Sequence, residues 1–137
     1  TRIATVPHPW YEKENRRYDM RYINAERVIA AQLTTPAENP LVTDDTRLMD
    51  IWFSGPQVRK QMFRKVKKAE QEALAARLEE RGFLRSGNLL FDPREVLFAE
   101  MESELIGGLI TIGYGEGGKP VELKVDARTM AELVRAR

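Results

Sequence analysis

The sequence predicts an α+β fold: a helical N-terminal part with one long central amphipathic helix, then a β-hairpin-containing C-terminal part and a short final helix. Apolar residues recur every three or four positions over 56–81, which is the spacing of one helix face. Apolar and polar residues alternate in Leu109–Tyr114 and Val121–Val125, which is the spacing of strands. For a chain of 137 residues we expect an extended arm over 1–23 and a single α+β domain over 24–137.

The arm is followed by a short apolar segment that has two interpretations. Pro7 and Pro9 keep the arm extended, because each fixes its own φ and disfavours helix in the residue before it. Asn24 is a candidate N-cap for a short helix over Ala25–Leu33. A strand over Arg27–Thr34 is the alternative for the same segment.

Two helices are predicted in the middle of the chain. Asp44 or Asp45 can cap the first one. That segment carries apolar residues at helical spacing: Leu48, Ile51 and Trp52. The second is the long helix Pro56–Arg81, which contains no internal Gly or Pro and is rich in good helix formers. Gly82 stands where a helix commonly ends.

The segment after the long helix begins with a predicted tight turn. Ser86-Gly87-Asn88 lies between two apolar runs and is typical of a hairpin. Asp92 and Glu95 then have the spacing of a capping box, which favours a helix over 93–106. The same residues also alternate between apolar and polar, so a strand remains open.

A glycine-rich loop joins the two C-terminal strands. Gly113–Gly118 has the spacing G-x-G-x-x-G, but a nucleotide-binding loop of that kind opens a helix. Here Pro120 and an alternating strand follow, so we interpret the loop as a flexible hairpin tip. Asp126 is then the predicted N-cap of the final helix.

Charge is distributed unevenly along the chain. The net charge is +1, yet residues 1–68 hold 13 Lys and Arg against 8 Asp and Glu, while residues 69–137 hold 9 against 13. Within the predicted long helix, bases precede acids, which is the unfavourable order for the helix dipole. This order indicates either an external anionic partner or compensation by carboxylates elsewhere in the fold. The candidate binding residues are Arg59, Lys60, Arg64, Lys65, Lys67 and Lys68.

A second candidate binding segment lies in the arm, where arginine and aromatic residues interleave. Such a pattern can stack on nucleobases or pack on a partner's surface. The alternative is an exposed arm whose aromatic side chains pack on the domain itself. The candidate residues are Arg16, Arg17, Tyr18 and Arg21.

Composition argues against several classes of function. The absence of cysteine removes disulfides, thiolate metal sites and a cysteine nucleophile, and the lone His8 cannot build a multi-histidine zinc site. We identify no catalytic constellation, metal site or cofactor motif, and expect the protein not to be an enzyme. No apolar run approaches the roughly 20 residues that cross a bilayer, so we expect a cytoplasmic protein that does not enter membranes.

These observations favour a small non-enzymatic regulatory or adaptor protein that acts by macromolecular binding on a nucleic-acid machine such as the transcription apparatus. A protein partner is expected, and nucleic acid is a possible partner of the basic residues. One alternative is a structural assembly subunit, such as a ring or particle component. Another is direct nucleic-acid binding, because Ala75–Phe91 resembles the helix-into-wing passage of winged-helix domains. That likeness is generic, since any helix that ends in Gly before a hairpin shares it.

Overall fold

The structure is a computed structural model and describes residues 2–3, 21–34 and 47–135. This part of the chain contains ten β-strands and two α-helices. The strands are β1 (Arg2–Ile3), β2 (Ile23–Asn24), β3 (Val28–Thr34), β4 (Arg47–Phe53), β5 (Arg59–Val66), β6 (Leu84–Ser86), β7 (Leu89–Phe91), β8 (Phe98–Ser103), β9 (Gly107–Tyr114) and β10 (Pro120–Val125). The helices are α1 (Lys68–Glu80) and α2 (Ala127–Arg135).

Eight of these strands form two antiparallel sheets. The larger sheet has the strand order β5-β4-β3-β7-β6, and the smaller one has the order β10-β9-β8. Among the described strands, the short β1 and β2 pair with each other and with no other strand. Within the described residues, β5 and β8 therefore pair on one side only. Such outer strands present backbone groups that another chain can use.

The five-stranded sheet is the middle layer of the molecule. On one face, Ile51 of β4 shares a buried cluster with Leu78 of α1. On the other face, Trp52 shares a buried cluster with Ile110 of β9 and Met130 of α2. Successive residues of a strand point to opposite faces, so β4 contributes to both clusters. Helix α1 thus covers one face, and the three-stranded sheet with α2 covers the other.

The predicted long helix over 56–81 is wrong in its first half, where the chain forms β5. Helix α1 begins only at Lys68. Val58 and Met62 are four residues apart, and a step of four keeps two residues on one face of a strand as well as of a helix. Pairing of β5 with β4 decides for the strand. The backbone of Lys65, with φ of 56°, interrupts the strand geometry just before α1.

The predicted helical N-terminal part is also wrong. The segment Ala25–Leu33 contains one 3-10 turn followed by β3, so the alternative strand over Arg27–Thr34 is correct in kind. The segment around Leu48–Trp52 is β4. Both strands lie inside the sheet between two covered faces and are apolar on both sides. Without alternation, a short apolar run does not distinguish a strand from a helix. The proposed caps Asp44 and Asp45 lie outside the described residues.

The helix predicted over 93–106 is wrong, and the strand alternative is correct. Asp92 does act as an N-cap, but only of the single 3-10 turn Pro93–Glu95, after which β8 begins. The hairpin of β6 and β7, the strands β9 and β10, and the final helix α2 are confirmed. The carboxylate of Asp126 accepts the backbone N–H of Thr129 at 2.8 Å, as expected of a helix N-cap.

The glycine-rich loop is a hairpin tip between β9 and β10, as predicted. Gly117 and Gly118 have φ of 73° and 74°, in the left-handed region that favours glycine. Gly113 has φ of 145°, and a Cβ atom placed there would lie 2.6 Å from Cγ2 of Val58. The glycine at position 113 therefore allows the end of β9 to approach the start of β5.

The described chain is mostly β, and the predicted class with a helical N-terminal part and one long central helix is not adopted. Neither helix in the described ranges is long and apolar enough to cross a membrane. Most of the arm predicted over 1–23 lies outside these ranges.

Candidate binding surface

The six candidate cations of the central segment occupy the outer strand β5 and the start of α1. Arg59, Lys60, Arg64 and Lys65 lie on β5, and two lysines follow at the junction with α1. All six are exposed. We call the set Arg59, Lys60, Arg64, Lys65, Lys67 and Lys68 the basic edge. Because β5 is paired only with β4 among the described strands, the basic edge runs along a border of the sheet.

The register with β4 divides the first half of the basic edge between two faces of the sheet. Lys60 lies opposite Trp52, and its ammonium nitrogen is 5.5 Å from the indole ring centre. Met62 lies opposite Asp50 on the same face and is 45% exposed. Arg59 lies opposite Phe53 and points to the face covered by α1. The first half of the basic edge thus combines cations with an exposed apolar side chain.

Carboxylates of the described residues neutralise only part of the basic edge. Lys60 lies 4.0 Å from Asp50, and Lys68 lies 3.9 Å from Glu72 in the next turn of α1. Both pairs are exposed on the lysine side, where ion pairs contribute little. The basic residues that make no ion pair within the described residues are Arg59, Arg64 and Lys67. Internal compensation by the acidic second half of the chain therefore reaches Lys68 but not these three.

The conflict between charge order and helix dipole largely disappears in the structure. Of the six cations, only Lys67 and Lys68 lie at a helix N-terminus. Glu70 offsets them there, since its carboxylate accepts the backbone N–H of Lys67 at 3.1 Å. The cations before them lie on an outer strand, where basic side chains also protect against unwanted strand pairing. This protective role is the ordinary structural explanation for a basic strand.

Arg21 is packed against β5. Its guanidinium donates to the backbone carbonyl of Arg64 at 3.0 Å, lies 3.7 Å from a carboxylate oxygen of Glu70, and lies 5.5 Å from the ring centre of Phe63. The side chain is only 13% exposed. Arg21 thus helps to join β5 to α1. The other arm candidates, Arg16, Arg17 and Tyr18, lie outside the described residues.

A shallow polar depression of about 570 Å³ adjoins the start of β5. Its lining comprises Gln57, Val58, Arg59, Lys60 and Glu116. Glu116 belongs to the hairpin tip between β9 and β10, so the depression lies where the two sheets approach each other. Its charged groups are accessible to solvent, and its chemistry suits an extended polar chain better than a compact apolar ligand.

A second charged border was missed by the sequence reasoning. Glu100, Glu102 and Glu104 are exposed, and the first two belong to the outer strand β8. On the helix predicted over 93–106, these three carboxylates would not share a face, so that prediction indicates no charged border here. In the strand, Glu100 lies opposite Leu109, and Glu102 stands at the register shift between Met101 and Ser103, so both carboxylates lie along the outer strand of the smaller sheet. The alternation of apolar and acidic residues after Leu97 was the signal that could have revealed this border.

No protein-family model, no curated protein and no solved structure matches this chain. Within the described ranges, no group of three or more His, Cys, Asp or Glu residues could hold a metal ion. The two charged borders are therefore the features of the molecule that bear on its function.

Proposed function

We propose that this protein is a small regulatory or adaptor protein that binds a polyanionic macromolecule through its basic edge, with nucleic acid as the partner. The observation that carries the proposal is the row of exposed cations along the outer strand β5 and the start of α1, three of which have no carboxylate partner within the described residues. An adaptor on a nucleic-acid machine such as the transcription apparatus would use the surface in this way.

The dimensions of the basic edge support a contact with several phosphates. A strand of eight residues is about 26 Å long at about 3.3 Å per residue. A single nucleic-acid strand carries one phosphate per about 3.4 Å of helix axis, so the edge can meet several phosphates in succession. Each cation that approaches a phosphate releases a counterion, which makes the affinity depend on salt. With three to six contacts, we expect a logarithmic salt slope of about −2 to −5.

A titration of labelled oligonucleotides tests the proposal. Fluorescence anisotropy with single-stranded and double-stranded probes should show binding that weakens as salt rises. The double variant Arg59→Gln/Arg64→Gln should weaken binding by roughly 10- to 100-fold at low salt and reduce the slope by about 2.

The matched control is Lys124→Gln/Arg135→Gln, which removes the same charge from β10 and α2, away from β5. Both control residues are exposed. The control should bind nearly as the wild type does. An equal loss in both double variants would mean that net charge alone matters, and wild-type protein that binds neither probe at low salt would refute the proposal.

The two alternatives fare differently. A structural assembly subunit is favoured by one specific observation, the presence of an acidic and a basic outer strand in the same molecule.

A winged-helix-like contact is not favoured by the geometry. Helix α1 buries Leu74 and Leu78 against the sheet, and the following hairpin of β6 and β7 is itself part of that sheet. In a wing, the hairpin would project beside a helix that is free to enter a groove.

A further inference from the structure

The strand β8 combines an unpaired border with exposed apolar residues. It pairs with β9 on one side, and no strand of the described residues pairs with its other side. Phe98 and Met101 on this strand are 47% and 49% exposed. The turn that follows places Leu105 and Ile106 in solvent, and Leu105 is 93% exposed. Clustered apolar side chains on an outer strand indicate a surface that another chain covers.

The same strand is acidic. Glu100, Glu102 and Glu104 make no ion pair within the described residues. We call β8 with Glu104 the acidic edge. Its partner must supply cations at strand spacing, because an uncompensated carboxylate at an interface loses hydration without an ionic contact in return.

A symmetric pairing of β8 with β8 of a second copy is unfavourable. In an antiparallel pair related by a twofold axis, each residue faces a residue on the same side of the sheet. A register centred on Glu100 therefore sets this carboxylate against the same carboxylate of the second copy. Like charges directly opposite each other destabilise a sheet.

The first half of β5 has the complementary pattern. Lys60 and Met62 share one face, as Glu100 and Phe98 do on β8. The backbone carbonyl of Met62 accepts a hydrogen bond from the side-chain Nε2 of Gln61 at 3.1 Å. Within one copy, β5 and β8 belong to different sheets and do not pair. The two borders can therefore pair with each other only between two molecules.

We propose that the acidic edge of one copy docks against the basic edge of a second copy, extending the sheets from molecule to molecule. An antiparallel register that sets Glu100 opposite Lys60 also sets Phe98 opposite Met62. This register joins opposite charges and buries an aromatic ring against a methionine. The register does not use the Arg64 end of β5, where the guanidinium of Arg21 already donates to a backbone carbonyl.

The contact is heterologous, because two different borders meet. After one contact, one copy keeps an unused basic border and the other an unused acidic border, so association proceeds head to tail into a ring or an open filament. A short ladder of this size gives weak association that strengthens with concentration and weakens with salt. The contact uses the basic edge of the proposed function, so a polyanion and a second copy compete for one surface.

Sedimentation velocity of the full chain tests the inference through a charge swap. The wild type should show a mass that rises between about 1 and about 100 µM at low salt and falls back to the monomer above about 0.5 M salt. The variant Glu100→Lys/Glu102→Lys has two basic borders and should stay monomeric. The variant Arg59→Glu/Lys60→Glu has carboxylates in the half of β5 that would meet β8, so it should also stay monomeric.

Mixing the two variants is the decisive measurement, because each supplies the border that the other lacks. An equimolar mixture should recover the concentration-dependent mass of the wild type. Recovery also shows that both variants are folded, and circular dichroism of each one confirms it. A monomeric wild type at the highest concentration would overturn the inference, as would folded variants whose mixture remains monomeric.

The two proposals fail in distinguishable ways. The variant Glu100→Lys/Glu102→Lys keeps the basic edge, so it should still bind the labelled oligonucleotide while it no longer self-associates. An added oligonucleotide should dissociate wild-type assemblies into monomers. If the protein assembles, and the oligonucleotide neither binds to it nor dissociates the assemblies, the polyanion proposal fails while the assembly proposal is supported.

Discussion

Removal of the N-cap of α2 gives a quantitative test of how the C-terminal helix is held. The carboxylate of Asp126 accepts the N–H of Thr129 at 2.8 Å, and Thr129 is only 2% exposed. In Asp126→Ala this N–H loses its acceptor in a place that water barely reaches. We therefore expect a loss at the upper end of the usual N-cap range, about 1–2 kcal/mol in the free energy of unfolding. The midpoint of thermal unfolding should fall by about 3–8 °C.

The same cap predicts a specific pH dependence. The pKa of Asp126 lies below its ordinary value because the carboxylate accepts hydrogen bonds, chiefly from the backbone of Thr129 and also from Ser86. The ionised form therefore stabilises the fold above the unfolded-state pKa of about 3.9, and this contribution is lost as pH falls through the lower folded-state pKa. The variant Asp126→Asn keeps an acceptor but has no charge to lose.

Urea unfolding of the wild type, Asp126→Ala and Asp126→Asn from pH 7 to about pH 2.5 measures both effects. The stability difference between wild type and Asp126→Asn should be constant near neutral pH and shrink below about pH 4. At pH 7, Asp126→Asn should lie between the other two proteins. Equal stability of wild type and Asp126→Ala at pH 7 would refute the capping argument, and a difference that does not change with pH would refute the electrostatic part.

Two further predictions concern packing, and both are measured by chemical denaturation. Gly113→Ala should destabilise the protein by about 1–3 kcal/mol, because φ at this position is unfavourable for alanine and the new methyl overlaps Val58. Adding Val58→Ala should recover only the part of the lost stability that comes from the overlap. The absence of any recovery would count against that contact. Leu78→Ala should cost about 2–5 kcal/mol because Leu78 is fully buried, whereas Leu105→Ala in the exposed turn after the acidic edge should change stability by less than about 0.5 kcal/mol. Similar losses in the two leucine variants would contradict the assignment of inside and outside.

The sequence indicated one of the two charged borders and missed the other, and the reason is physical. The sequence identified the basic residues, since six cations without an acid among them are visible in any conformation. The helical spacing wrongly placed Arg59 and Lys60 on a helix, where their charges would oppose the helix dipole. On a strand there is no helix dipole, so that conflict does not arise. The acidic edge was missed because its glutamates line a border of the molecule only when the segment is an outer strand. Secondary structure therefore decided which charges form a surface.

What the sequence determined by itself was local: the hairpin turn at Ser86–Asn88, the strands β9 and β10, the glycine tip, and the cap at Asp126. Each depends on turn chemistry, alternation or capping within a few residues. The tertiary structure decided the rest. Strands β3 and β4 are apolar on both sides because layers cover both faces of their sheet, and β5 is a strand because β4 lies beside it. Pairing partners distant in sequence leave no periodic signal, so only the folded chain shows which strands are outermost and therefore which charges are available for binding.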